Sequence, residues 1–108
     1  MDKTDRIREL NDAFRTTFVG GKVMMTPGVA AMPADQLANA LSAVRRFKDF
    51  DEGNDPHGEH DFGSFDLAGE KFFWKIDAYD ADMQFGSDDA ADEAKTTRVL
   101  TIMFASEY

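Results

Sequence analysis

The apolar stretch from Thr97 to Ala105 most restricts what this chain can fold into. Leu100 and Ile102 are apolar residues of one face, and Val99 and Met103, which flank them in the sequence, are apolar residues of the other face. Successive side chains of a strand point to opposite faces of a sheet, so a strand of this composition needs cover on both. The segment predicts a central strand that is covered, at least partly, on both sides.

Three further segments are predicted to be strands. The first runs from Lys22 to Thr26. Phe62 to Leu67 and Lys71 to Ala78 follow later in the chain, and the short connection at Ala68-Gly69 predicts a hairpin between them. The second hairpin strand carries three large apolar side chains on one face: Phe72, Trp74 and Ile76.

Two segments have the apolar spacing of amphipathic helices. Thr4 is a suitable N-cap for a helix over residues 5–17, which Gly20-Gly21 is expected to end. Pro33 opens the second helix, because the missing N–H of proline costs nothing in a first turn. Ile7, Leu10 and Phe14 form the apolar stripe of the first helix, and Leu37, Leu41, Val44 and Phe47 that of the second.

These elements predict an α+β fold in two layers. Two helices pack on one face of a small, mostly antiparallel four-stranded sheet, in the chain order α-β-α-β-β-β. We expect the C-terminal strand inside the sheet and the strand from Lys22 to Thr26 beside it or at an edge. The length of 108 residues fits a single domain over residues 1–108.

Charge is distributed unevenly along the chain. The formal net charge is −9, made of +3 over residues 1–48 (8 bases, 5 acids) and −12 over residues 49–108 (4 bases, 16 acids). Residues 49–61 and 79–94 contain acids and no base, and they predict two acidic loops. Such a surface repels phosphate backbones and attracts a basic protein surface. The carboxylates of this candidate acidic face are Asp49, Asp51, Glu52, Asp55, Asp80, Asp82, Asp88, Asp89, Asp92 and Glu93.

One short segment gathers the residue types that an active site needs. His57, Glu59, His60 and Asp61 lie within five positions, and Asp77 joins them if it neighbours Asp61 in the sheet. Imidazole and carboxylate groups bind divalent metals such as Zn²⁺, and a carboxylate also orients a histidine as a general base. The spacing matches no established zinc motif. A third interpretation is a structural loop whose carboxylates accept backbone N–H bonds.

Several classes of protein are excluded or disfavoured by composition. The chain has no cysteine, which excludes disulfides, a thiolate nucleophile and cysteine-bound metals. No apolar run is long enough for a membrane span, and the charged start of the chain predicts no signal peptide, so we expect a cytoplasmic protein without a cofactor. Phe73, Val99 and Met103 on the sheet face away from the helices raise a further hypothesis, a homodimer.

The segments GEHDFG, FFWKIDAYD and TRVLTIM, together with NDPHGEHDFGSF, resemble a family of short bacterial proteins known only as a domain of unknown function. Its members are often found on mobile elements. The resemblance covers nearly the whole chain and implies a small stand-alone domain. It carries no activity, so it assigns no catalytic residue.

Two functions from different classes follow from these observations. The first is a non-enzymatic protein-interaction domain, whose acidic face imitates the charge of nucleic acid and binds or inhibits a basic, nucleic-acid-binding partner. Direct nucleic-acid binding and membrane binding are not expected. The alternative is a small metal-dependent hydrolase centred on the segment HGEHD.

Overall fold

A computed structural model of the chain describes residues 2–108. Three helices, α1 (Lys3–Thr17), α2 (Pro27–Ala30) and α3 (Ala34–Arg46), precede most of the sheet. The strands are β1 (Gly21–Met25), β2 (Phe62–Leu67), β3 (Glu70–Tyr79) and β4 (Thr97–Phe104). Single turns of 3₁₀ helix stand before and after β4, at Glu93–Lys95 and Ala105–Glu107.

The strands form one sheet in the order β1-β4-β3-β2. β2 and β3 form the predicted hairpin, and β3 pairs antiparallel with β4. β1 runs parallel to β4, with Val23 opposite Leu100. The C-terminal strand is therefore internal and β1 lies beside it at an edge, as predicted, while the sheet is mixed rather than mostly antiparallel.

All three helices contribute to a core on one face of the sheet. Phe14 of α1, Val29 of α2 and Val44 of α3 pack against the apolar face that β3 and β4 share. This core confirms the predicted α+β arrangement of helices on one side. Trp74 is completely buried at its centre. None of the helices in residues 2–108 is both long and apolar enough to cross a bilayer.

The helix ends differ from the predictions in ways that local chemistry explains. The N-cap of α1 is Asp2 rather than Thr4, because the Asp2 carboxylate accepts the Asp5 backbone N–H at 2.8 Å. The helix ends at Phe18, which takes the left-handed conformation (φ 60°) expected of the later glycines and donates its N–H to Phe14 O. α2 was not predicted as a helix: proline fits a first helical turn as well as it fits a stop signal.

The helix-free face of the sheet is covered in part by the chain itself. Val99 and Met103 are buried there, which confirms cover on both sides of β4. The C-terminal 3₁₀ turn contacts β3 and β4, and Met83 lies beside Val99 in a shallow groove. A homodimer through this face stays a prediction, and two of its three predicted contact residues are already buried within one chain.

Candidate functional site

Both acidic loops are attached to α1, one on each side. Lys3 Nζ lies 3.4 Å from Asp89 Oδ1, and Arg6 Nη2 lies 3.6 Å from Glu93 Oε1. On the opposite side of the helix, Arg8 Nη1 donates to Gly58 O at 2.9 Å. Lys3 and Arg6 are three residues apart and therefore share one side of α1, whereas Arg8 projects from a different side. α1 thus holds residues 58–60 of the first acidic loop on one side and Asp89 and Glu93 of the second on another.

The bases of α1 are occupied by these attachments and by neighbouring acids. Arg6 also bonds Glu9 of its own helix at 2.5 Å, and Arg8 bonds Asp5 at 2.6 Å. Within the part of the chain that the structure describes, residues 2–108, several acids near α1 have no basic partner, among them Asp88. The α1 side of the molecule therefore keeps an excess of negative charge although α1 itself is rich in arginine.

His60 is held inside the first acidic loop between two carboxylates. Its Nδ1 lies 2.9 and 3.0 Å from the two oxygens of Asp12, and its Nε2 lies 3.5 Å from Asp55 Oδ2. An ionised carboxylate only accepts hydrogen bonds, so the proton at Nδ1 is donated to Asp12. The ring also stacks flat on Phe50, with centroids 3.7 Å apart. This cluster fixes the loop on α1.

The backbone of the same loop is shaped by Asp55. The Asp55 carboxylate is only 6 % exposed and accepts the His60 backbone N–H at 3.0 Å. His60 itself takes a left-handed conformation with φ 54°, a region that histidine visits more readily than branched residues do. Asn11 completes the attachment by donating its side-chain N–H to Glu59 O at 2.9 Å. The loop is therefore specifically bonded although it has no regular secondary structure.

The other residues of the HGEHD segment do not converge with His60. His57 is exposed, and Glu59 takes part in the attachment through its carbonyl rather than its carboxylate. The carbonyl of Asp61 accepts the Ile76 N–H at 2.8 Å, so Asp61 lies opposite Ile76 of β3, one position along the strand from Asp77. Asp77 pairs with Lys75 at 2.9 Å. Within residues 2–108, no three histidine, aspartate or glutamate side chains are placed to hold a metal ion together.

Burial raises the pKa of Asp61 above its ordinary value of 3.8, and the nearby carboxylates of Asp55 and Asp77 act in the same direction. A raised folded-state pKa means that ionisation of Asp61 opposes folding. The penalty is absent below pH 3.8, where both states are protonated, and is complete above the folded-state pKa.

We therefore expect Asp61→Asn to stabilise the protein at pH 7, by less than about 1 kcal/mol because the carboxyl is only half-buried. The gain should shrink to nothing as the pH falls below 3.8. Urea unfolding at pH 7 and at acid pH measures it, with Asp66→Asn on the exposed side of β2 as the control. A gain at acid pH as large as that at pH 7 would contradict the assignment.

The predicted acidic face is divided among three places. Asp89 and Glu93 lie beside α1, and the carboxylates of residues 49–52 belong to the loop that α1 holds at Gly58, Glu59 and His60. The Asp55 carboxylate is buried next to His60 and does not contribute to the acidic surface. Asp80 and Asp82 belong to the turn that carries Met83 to the helix-free side of the sheet. Charge along the sequence predicted acidic loops correctly, but not which of their carboxylates share a surface.

Sequence reasoning missed the residues of α1 that organise this site. Asp12 and Arg15 lie on the side of the helix next to His60, and Arg98 reaches Asn11 from β4 with an Nε–Oδ1 distance of 2.7 Å. A signal was present in the sequence: Asn11 and Arg15 are polar residues adjacent to the apolar stripe of α1. Polar groups at the border of a buried stripe need partners from elsewhere in the fold.

The fold and this surface together define a small acidic α+β protein with two loops fastened to its first helix. Residues 25–107 match the model of a family described as protein of unknown function, DUF3768. The match covers more than half of the chain, so the chain belongs to this family, and the resemblance to a family of unknown function is confirmed. The matched region begins at the last residue of β1. No curated protein and no solved structure matches the chain.

Proposed function

We propose that this protein is a non-enzymatic interaction domain whose acidic face binds a basic protein surface. The acidic face consists of α1 with residues 49–52 on one side and residues 88–93 on the other. The observation that carries the proposal is the attachment of both acidic loops to the same helix. This attachment supports a gathering of the carboxylates of both loops around α1.

Charge balance on this face favours a cationic partner. Three of the bases on α1, Lys3, Arg6 and Arg8, already have carboxylate partners within the chain. Glu52 and Asp88 are exposed and have no basic partner among the described residues 2–108, so they remain available to a molecule outside. A concentrated negative potential speeds the approach of a basic protein and selects against acidic ones. Basic nucleic-acid-binding proteins fit best, because their binding surfaces are built to accept a row of negative charges.

The hydrolase alternative gains no support from the geometry. Both ring nitrogens of His60 face carboxylates that also hold the loop in place, and His57 is separate and exposed. A general base has to be within hydrogen-bond reach of the proton that it removes. We therefore treat the His60 cluster as the part that positions the acidic face.

A charge-neutralised variant tests the proposal. Asp49→Asn, Glu52→Gln and Asp88→Asn remove three charges from the acidic face without touching any hydrogen bond that holds its loops. The native protein, immobilised, is exposed to a panel of purified basic DNA-binding proteins at rising NaCl concentrations. We expect a bound partner to be released by salt and by duplex DNA, and the triple variant to bind it roughly tenfold more weakly.

The matched control removes the same charge elsewhere. Asp35→Asn, Asp66→Asn and Glu70→Gln neutralise three exposed carboxylates on α3 and the β2–β3 hairpin, away from the acidic face. Affinity should change less than twofold in this control. The proposal is wrong if no protein of the panel binds, if binding is indifferent to salt, or if both triple variants lose affinity equally.

A further inference from the structure

A second feature lies on the far side of α1 from the His60 cluster. A cavity of about 300 Å³ opens between α1, the connection to β1 and the start of β4. Its apolar wall comes from Leu10, Ala13 and Val19, and Val19 is 74 % exposed at the rim. Glu93 and Arg98 supply its charged groups. This volume is at the lower end of the range found for small-molecule sites.

Arg98 brings to this cavity a positive charge that has no ion-pair partner within residues 2–108. The residue is 3 % exposed, and its hydrogen-bond partners are neutral: Nε donates to Asn11 Oδ1 at 2.7 Å, and Nη2 donates to Ala90 O. Burial lowers the pKa of the Arg98 guanidinium, and the more distant carboxylates of Glu93 and Glu59 offset this effect only in part.

The third nitrogen of Arg98 is free to bind something else. Nη1 donates to no acceptor within residues 2–108. It is also not sealed in the core, since the polar atoms that are both sealed and unbonded are Arg15 Nε and Trp74 Nε1. Arg98 lines the cavity, and Nη1 is its one nitrogen without an acceptor in residues 2–108, so we infer that Nη1 is the donor available to a ligand there.

We propose that the cavity binds a short aliphatic carboxylate, with its carboxylate oxygen on Arg98 Nη1 and its hydrocarbon tail against Leu10, Ala13 and Val19. A guanidinium N–H and a carboxylate form a charge-assisted hydrogen bond, which is strengthened where water is excluded. A phosphate dianion fits less well, because a single free nitrogen faces it and Glu93 stands at the mouth. The negative net charge of the chain also favours a monoanion.

Two natural sources share this chemistry, namely a short fatty acid and an aliphatic amino acid. Glu93 distinguishes them, because its carboxylate is exposed at the cavity mouth and would pair with the ammonium group of an amino acid. The probes are 4-methylpentanoate, leucine, isopentylamine and inorganic phosphate, each titrated into the ¹⁵N-labelled protein. Leucine binding more tightly than 4-methylpentanoate identifies an amino-acid site, and the reverse order identifies a fatty-acid site.

We expect saturable binding of the carboxylate probes with a Kd on the order of 1 mM, the range for ligands of this size. Amide shifts should be concentrated at Gly20 and Thr96, which line the cavity. Isopentylamine and phosphate should bind at least about tenfold more weakly. Tighter binding of the amine than of the acid would overturn the proposal, and so would a failure of both carboxylates to saturate.

Two variants test the site. Arg98→Met removes the charge and the N–H donors and leaves a shorter, unbranched apolar side chain, and carboxylate binding should disappear. Ala13→Leu fills the cavity from an exposed helical position and leaves Arg98 intact, so it should weaken binding at least about tenfold without unfolding the chain. Ala38→Leu at an exposed position of α3 is the matched control. Unchanged affinity in Ala13→Leu would show that the ligand lies elsewhere.

Discussion

Gly63→Ala is expected to destabilise the fold by about 2 kcal/mol or more. Gly63 lies directly opposite Trp74 in the β2–β3 ladder. A Cβ added at Gly63 would lie 2.3 Å from Trp74 Nε1 and 2.6 Å from Trp74 Cε2, well inside van der Waals contact. Trp74 is completely buried, so its indole has no free space to enter. The methyl group therefore has to be accommodated by displacing the centre of the core.

Gly63→Ala also has a stabilising effect on the unfolding equilibrium, which is smaller than the cost of the clash. Replacing glycine by alanine reduces the freedom of the unfolded chain, which stabilises the fold by up to about 1 kcal/mol where the new side chain fits. Gly86→Ala isolates that effect, because nothing lies within 4 Å of a Cβ at Gly86. Urea unfolding followed by the fluorescence of Trp74, the single tryptophan, compares the two variants. Equal stability of Gly63→Ala and Gly86→Ala would refute the packing argument.

Arg15→Ala should cost about 3 kcal/mol or more, a large part of the 5–15 kcal/mol that holds a domain of this size together. Arg15 is 3 % exposed and donates from Nη1 to Val44 O and Phe47 O, both at 2.9 Å. Val44 O also accepts the Phe47 backbone N–H at 3.3 Å, and Phe47 is the residue that follows the last turn of α3. Without Arg15, both buried carbonyls would lose the guanidinium donor at the end of this helix, where carbonyls lack regular helical partners. The guanidinium also lies 5.2 Å from the centre of the Trp74 ring, a contact that would be lost as well.

A series of variants separates the charge of Arg15 from its shape. Arg15→Lys keeps the charge but presents one nitrogen instead of a planar guanidinium. We therefore expect its free energy of unfolding to lie between those of the native protein and Arg15→Ala. Arg46→Ala removes an exposed arginine from the last turn of α3 and should change stability by less than about 0.5 kcal/mol. If Arg15→Ala lost as little stability as Arg46→Ala, the hydrogen bonds of Arg15 would not be what stabilises the C-terminal end of α3.

Segments with a clear apolar period were predicted closely. β2 has the predicted limits, Phe62 and Leu67, and β4 is internal, as the apolar residues on both of its faces predicted. The alternation in a strand repeats every two residues, so a few positions suffice to place it. The limits of β1 and β3 differ from the prediction by one residue at each end.

The partners of polar residues were not predictable in the same way. Asp12 meets His60 across 48 positions, and Arg15 meets Val44 across 29. Nothing in the sequence around either residue identifies such a partner, because the contact exists only once α1 has packed on the sheet. The same limitation applies to Asp55. As an acidic residue among other acids it was predicted to be exposed, but its carboxylate is buried against the ring and the backbone N–H of His60.

Glu107 brings the two limits of the family-matched region together. Its carboxylate accepts the Thr26 hydroxyl at 2.7 Å and the Gly28 backbone N–H at 3.1 Å, while residues 25 and 107 bound the match. A stretch of polypeptide whose ends are neighbours can be spliced into a surface loop of a host protein without stretching either junction. The limits of residues 25–107 thus meet in space, but this stretch is not self-contained, because Phe14 and Arg15 of α1 complete its core.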